Sequence, residues 1–266
     1  MSESRVATLK AIIRGLLPRQ SRAHRIKFGP LRGHRIVTSW HDYPAAIIGY
    51  TETPLLRWLE NIVGAGETWL DIGAHYGYTA LALCRLVGPT GRVIAFEPVL
   101  PTAGALASTK RVNRLDNLLI VPLGLSSERN LIRQQVALER GMATSTGGPL
   151  RTDSEDIWTI GFDSLASSLD VKSVDGVKID VQGMELEVLL GMRSLLRTGP
   201  LLAVEFHPGV DRPAVLQVLV DAGYALPGQA IDPLSGETEA RYADHRSYVF
   251  DRGMSREHRP GRSSRL

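Results

Sequence analysis

One stretch constrains the fold of this 266-residue chain more than any other: an apolar run that breaks into glycine and restarts as a helix. Trp69 to Ile72 is long enough for a buried strand of a parallel sheet. Gly73 and Gly77 follow, and then Ala80, Leu81, Leu83, Cys84, Leu86 and Val87 recur at helical spacing. Strand, glycine turn and helix together open a nucleotide-binding α/β unit. Gly73 allows a sharp turn, and Gly77 removes a Cβ where either a cofactor or the strand lies against the helix start. The dinucleotide fingerprint G-x-G-x-x-G is absent, because His75 occupies its middle glycine position. The loop therefore leaves less room for a pyrophosphate. It better suits S-adenosylmethionine (SAM), which carries no phosphate and is held by its amino-acid end and ribose. About 20 residues on, Gly91 to Pro98 reads as a second strand ending on Glu97, whose carboxylate can accept both ribose hydroxyls of NAD or of SAM.

The rest of the chain alternates in the same way. Residues 26–48 hold His34, Trp40, His41, Asp42 and Tyr43 and read as an N-terminal cap over the cofactor mouth. Glu52 and Pro54 open a helix over 55–63, and another runs over 101–115. Residues 118–125 are a third strand, with Ser126 at the end that borders an adenine in such folds. An antiparallel excursion follows over 131–138. Small polar residues over 141–149 form a flexible loop, either a substrate gate or a spacer. A strand at 157–162 and a short helix at 165–169 precede strand four (176–183), its helix (184–196), strand five (201–208), a helix (214–222) and a late antiparallel strand (248–251). The expected fold is α/β: a Rossmann-like, doubly wound, mostly parallel sheet with ligands at the strand carboxyl ends.

A composition of 43% hydrophobic and 22% charged residues excludes a disordered or fibrous chain. No run approaches the ~20 apolar residues of a membrane span. No secretory signal opens the sequence, and the single cysteine, Cys84, sits on the apolar face of a helix. A cytoplasmic location is expected. Basic residues crowd both ends: Arg5, Lys10, Arg14, Arg19, Arg22, Arg25 and Lys27 at the start, Arg256, Arg259, Arg262 and Arg265 at the finish. Such ends are solvated tails or contacts for RNA or anionic lipid. Val6, Leu9, Ile12, Ile13, Leu16 and Leu17 form a helical stripe over 5–17, either a packed lid or a peripheral membrane or dimer contact. Oligomeric state stays open.

Trp69 to Gly77, Val93 to Pro98, Asn113 to Asn117 and Val177 to Glu185, taken in series, resemble the FkbM family of SAM-dependent methyltransferases, over about 45 to 210. The resemblance implies a class I methyltransferase fold and SAM as cofactor. It also implies O-methylation of a hydroxyl on a sugar, glycolipid or secondary metabolite. By the same resemblance Glu52, Asp71, Gly73 and Glu97 line the SAM pocket; Ala74, His75 and Gly77 of the same loop, and Ser126 after strand three, are further cofactor-binding candidates. Family members usually read glutamate where this chain has Gln182, which removes one charge; His75 replaces a common asparagine. The expected division is a helix and cap over 1–48, the methyltransferase domain over 49–252 and a disordered basic tail over 253–266.

Methyl transfer to a hydroxyl benefits from a general base at the strand ends. Asp180 and His207 both qualify, and an unperturbed histidine titrates near 6.5, close to working pH. His207 alternatively caps the loop before Pro208. Asp180 orients the acceptor or faces the sulfonium. Glu185 joins the catalytic set or merely favours its helix dipole. Asp180, Glu205 and His207 offer donors to a divalent cation, but alternate strand residues share a face, so Asp180 must reach across; no metal site is assigned. An RNA methyltransferase is the alternative suggested by the basic ends. No lysine after Lys178 completes a Lys-Asp-Lys-Glu tetrad, and Asn-Pro-Pro-Tyr and Pro-Cys motifs are absent, so a nucleic-acid partner is disfavoured. A nicotinamide oxidoreductase is disfavoured by the missing glycine, and a non-catalytic SAM-fold interaction module stays open.

Overall fold

The computed structural model describes residues 16–137, 142–144, 154–234 and 242–253. All but the last two residues of the stripe at 5–17, most of the loop at 141–149 and the basic tail after Gly253 lie outside these segments. The chain opens with a hairpin, β1 (Arg22–Arg25) and β2 (Arg35–Thr38), then α1 (Pro44–Ile48) and α2 (Thr53–Ile62). Next come β3 (Thr68–Ile72), α3 (Tyr78–Val87), β4 (Arg92–Phe96), α4 (Leu100–Asn113) and β5 (Leu118–Val121). An excursion follows: β6 (Gly124–Leu125), β7 (Asn130–Ala137), β8 (Met142–Thr144) and β9 (Ser154–Ile160). The chain returns through α5 (Phe162–Leu165), β10 (Gly176–Ile179), α6 (Glu185–Leu190), α7 (Arg193–Thr198), β11 (Leu201–Phe206), α8 (Arg212–Asp221), β12 (Gln229–Ala230) and β13 (Arg246–Phe250).

Seven strands form the main sheet in the order β12-β13-β11-β10-β3-β4-β5. From β11 to β5 all neighbours are parallel, while β13 runs antiparallel to β11. The chain winds outward from β3 to β5, then crosses back to start again at β10. The switch point therefore falls between β3 and β10, where open α/β sheets bind ligands at the strand carboxyl ends. Strands covered on both faces need apolar residues at successive positions. Leu70, Ile72, Phe96, Ile179, Val204 and Phe206 meet Val188, Leu189, Val215 and Leu219 on one side. Trp69, Val93, Ala95 and Ala203 meet Ala80, Leu83, Cys84 and Leu106 on the other.

The cap packs Ile26, Leu31, Ile36 and Ile47 against Tyr78, Leu81 and Ala82 of α3. Three hydrogen bonds fix it to α4: Val37 N–H donates to Thr109 Oγ1 (2.9 Å), Arg35 N–H to Asn113 Oδ1 (3.0 Å) and Asn113 Nδ2 to Arg35 O (2.6 Å). Among the described residues no helix is long and apolar enough to cross a membrane.

Several boundaries differ from the expectations, for physical reasons. The third strand ends at Val121, because Pro122 has no N–H to continue the ladder; the chain re-pairs as β6 in a separate four-stranded sheet, order β6-β9-β7-β8. Residues 142–144 of the expected loop form β8, paired with β7. The short helix starts earlier, at Phe162, and strand four stops at Ile179. The single helix expected over 184–196 is two, α6 and α7. At the joint, Gly191 O accepts the Asp163 N–H (3.0 Å), and a Cβ on Gly191 would lie 1.8 Å from Ser126 O. The Asp163 carboxylate then accepts the N–H groups of Ser194 (2.7 Å) and Leu195 (3.2 Å), starting α7 afresh.

Candidate active site

The loop after β3 is shaped by what crosses it. Gly73 has φ of 77°, and a Cβ there would lie 1.8 Å from Asp180 O, so the loops after β3 and β10 touch backbone to backbone. Gly73 and Ala74 both donate N–H to Phe96 O at 3.0 Å, binding the loop to the end of β4. His75, at φ 53°, donates its N–H to Glu97 Oε2 (2.8 Å), and Val99 N–H donates to Glu97 Oε1 (3.0 Å). A carboxylate has about four acceptor sites, so Glu97 retains capacity for a diol. Burial pushes its carboxyl up to about 7, against the pull of the Val99 and His75 N–H groups. At Gly77 a Cβ would lie 2.2 Å from Leu106 Cδ1, so the glycine lets α4 approach the start of α3.

Beside this loop lies a knot of charge. Lys178, on β10, sits in register with Asp71 on β3, and both are buried. Lys178 Nζ donates to Gly73 O (2.9 Å) and lies 3.3 Å from Asp71 Oδ1 and 3.4 Å from Asp180 Oδ2. Burial opposes its charge, but Asp71, Asp180, Glu52 and Glu205 outweigh that and raise its pKa. Asp180 follows β10 with its side chain 21% exposed, and Gln182 Nε2 donates to its Oδ1 (3.1 Å). Burial would raise Asp180, yet Lys178, His207 and Gln182 together hold it below the usual carboxylate range.

His207 follows β11. Its Nδ1 lies 2.7 Å from Glu185 Oε1, an oxygen that also accepts the Gly183 N–H (3.2 Å). Its Nε2 lies 3.4 Å from Glu205 Oε1 and 3.6 Å from Asp180 Oδ1. Burial alone would lower its pKa; Glu185, Glu205 and Asp180 instead push it up to about 10. These carboxylates favour the protonated ring, whose side chain is only 3% exposed, unlike the free imidazole assumed from sequence. Glu52, left-handed at φ 52°, faces the same charges from the start of α2; burial and then Asp180 push it up to about 7.

Residues 71–226 match the family model described as Methyltransferase FkbM domain, more than half of the chain. The chain belongs to the FkbM methyltransferase family. Its relatives include the hexuronic acid methyltransferase AglP of Haloferax volcanii, 33% identical over 176 residues, or 64% of this chain and 69% of the relative. The methyltransferase sdnD of Sordaria araneosa is 24% identical over 192 residues, 59% of this chain and 73% of that one. Fibrillarin of Aeropyrum pernix, solved with bound SAM, is 17% identical and aligns over 88% of each chain with a TM-score of 0.48. As an FkbM methyltransferase the protein uses SAM. The residues present suit that cofactor, because Glu97 keeps acceptor sites beyond its two N–H partners at the end of β4, and carboxylates that complement a sulfonium cluster about Lys178 beside the loop.

Within this FkbM domain Asp71, Gly73, Ala74, His75, Glu97, Asp180, Glu185 and His207 come together around the switch point, and Glu52 faces them from the start of α2. Asp71 enters the cluster through Lys178 and is itself fully buried. Gly77 closes the same loop, its N–H donating to Ala74 O (2.9 Å) and its Cα facing Leu106, while Ser126 presses its carbonyl on Gly191 and donates its N–H to Ile160 O (3.1 Å). Lys178 was readable as a charge inside a strand buried on both faces. Tyr43, whose ring lies 5.0 Å from that of His75, comes from an irregular segment without periodicity.

Proposed function

We propose that this FkbM methyltransferase transfers the methyl group of SAM to a hydroxyl of a sugar, with Asp180 as the residue that meets the acceptor. Support comes from the position of Asp180: it sits at the switch point, beside the donor loop, and is the partly exposed member of a buried network of Lys178, His207 and Glu185. The relative that acts on a hexuronic acid supports a carbohydrate acceptor. When bound, SAM supplies an electrophilic methyl group. Asp180 accepts the hydrogen bond of the acceptor hydroxyl and aims its oxygen along the line of displacement. An oxygen being alkylated becomes strongly acidic, so even a weakly basic carboxylate takes the proton as the new bond forms. His207 and Glu185 are positioning residues; they fix the Asp180 carboxylate from behind, where no acceptor reaches. Glu97 holds the ribose diol, and Glu52 complements the donor's ammonium group.

The test is a panel of neutral sugars and hexuronic acids incubated with SAM, read by mass spectrometry as the gain of one methylene. With the acceptor in hand, Asp180→Asn should lower kcat by about 10²-fold, the scale of general-base loss, with SAM affinity unchanged. A chain that binds SAM but methylates no sugar overturns the acceptor assignment. Wild-type kcat in Asp180→Asn removes Asp180 from the chemistry.

A further inference from the structure

We propose that Glu205, His207 and His245 form a binding site for a divalent transition-metal ion of the zinc class. The topology brings the three together from two strands. Glu205 and His207 are alternate residues at the end of β11 and share a face. β13 runs antiparallel beside β11 with Phe206 opposite Arg246, so His245 arrives next to His207 just before β13 begins. The His245 N–H donates to Phe206 O (2.7 Å), its φ is 56°, and the two imidazoles lie 5.3 Å apart at 81°. One ligand atom from each of the three residues lies within 4.8 Å of the others.

A second observation, independent of that grouping, points to a ligand. His207 Nε2 is buried with no hydrogen-bond partner, although Glu205 Oε1 stands 3.4 Å away. Hydrogen bonds from a ring nitrogen to a carboxylate are about 2.7–3.2 Å. Two donors around a tetrahedral zinc, each about 2.0–2.2 Å from the metal, lie roughly 3.3–3.5 Å apart. The spacing therefore fits a shared cation better than a direct bond. Glu185 supplies the supporting layer that metal-binding histidines have. As a carboxylate it only accepts, so Nδ1 carries hydrogen toward it and Nε2 is the atom left to coordinate. Two imidazoles and one carboxylate form a donor set suited to zinc, cobalt or manganese rather than to magnesium or calcium, which prefer all-oxygen sites. On binding, the ion replaces the Nε2 proton. Asp180 Oδ1, 3.6 Å from Nε2, borders the fourth position. The site does not depend on the acceptor being a sugar.

The full chain, stripped with chelator and titrated with Zn2+ by calorimetry, should take up one ion per chain. Cobalt-loaded protein should show the visible absorption of a low-coordinate site. His245→Asn keeps a side chain tolerated at positive φ while deleting the imidazole; it should weaken Zn2+ binding on the order of tenfold or more, with an unchanged circular dichroism spectrum. Glu205→Gln should weaken it comparably. Absence of saturable Zn2+ binding overturns the proposal, as does wild-type affinity in His245→Asn or displacement of Zn2+ by equimolar Mg2+. A parallel SAM titration reports on the cofactor pocket separately: Zn2+ uptake by a chain that ignores SAM supports the metal site and counts against the donor pocket alone.

Discussion

Replacing Lys178 with methionine tests the physical account of the site most directly. The ammonium group donates to Gly73 O at 2.9 Å and pairs electrostatically with Asp71 Oδ1 at 3.3 Å and Asp180 Oδ2 at 3.4 Å. Asp71 is fully buried, so it has no water to turn to when the lysine is gone. At an effective dielectric of about 20, a pair 3.3 Å apart interacts by about 5 kcal/mol, set against a desolvation cost of several kcal/mol per ion. Removing one partner of such a pair costs about 3–5 kcal/mol, because the other charge is left uncompensated. Lys178→Met should lower the urea unfolding free energy by that amount, without a change in slope. The double variant Lys178→Met, Asp71→Asn should recover most of the loss, since it removes the stranded charge as well. A single variant within about 0.5 kcal/mol of wild type, the range of ordinary surface changes, would refute the reasoning. So would a double variant no better than the single.

Two further outcomes follow from the loop after β3. Gly73→Ala and Gly77→Ala both place a side chain at positive φ, but the first meets the Asp180 backbone and the second the rotatable tip of Leu106. Gly77→Ala should cost about 1–3 kcal/mol, as overpacking does, and keep SAM binding. Gly73→Ala should cost more and abolish SAM binding, measured by unfolding and by calorimetry. For Glu97, burial lifts the folded carboxyl to about 7 from 4.5. Between those values the unfolded chain releases its proton first, so this group's stabilising contribution is complete below pH 4.5 and declines as pH rises toward 7. Glu97→Gln should flatten that decline, which amounts to about 3 kcal/mol at 1.36 kcal/mol per unit. It should also flatten the gain in SAM affinity expected of wild type as pH rises through about 7. A wild-type profile identical to that of the variant would separate Glu97 from the ribose.

Much of this architecture is legible in the amino-acid order because alternation and glycine turns are local signals. Trp69 to Ile72 must be a strand and Gly73 a turn whatever surrounds them. Glu97 follows as the end of the next strand, and Asp180 and His207 as the ends of two more. What escaped depends on contacts between distant segments. The helix after β10 breaks at Gly191, a position held to glycine because Ser126 O, 65 positions away in sequence, occupies the place of a Cβ. Lys178 looks anomalous in its strand, but its partner is set by the parallel register of β3 and β10. His245 has no local signal at all; only the antiparallel pairing of β13 with β11 carries it to His207. The ionisation of His207 likewise depends on three carboxylates from three elements, so a free-imidazole value could not foresee it.

The joint formed by Ser126, Gly161 and Gly191 has a bearing on how this enzyme can be rebuilt. Gly161 lies 3.2 Å from Gly191 O by the position its Cβ would take, and Gly191 is pressed on Ser126 O, so the four-stranded excursion meets the core main chain to main chain. Side chains cross the same seam: Leu125 and Ile160 pack into the main core, and Ile157 and Ile132 pack with Val99. Chimeras that exchange residues 127–160 while keeping those three anchors and the inward Ile132, Ile157 and Ile160 should transplant the outer sheet, with its exposed Leu131 and Trp158 facing each other across β7 and β9, without disturbing the helix that carries Glu185.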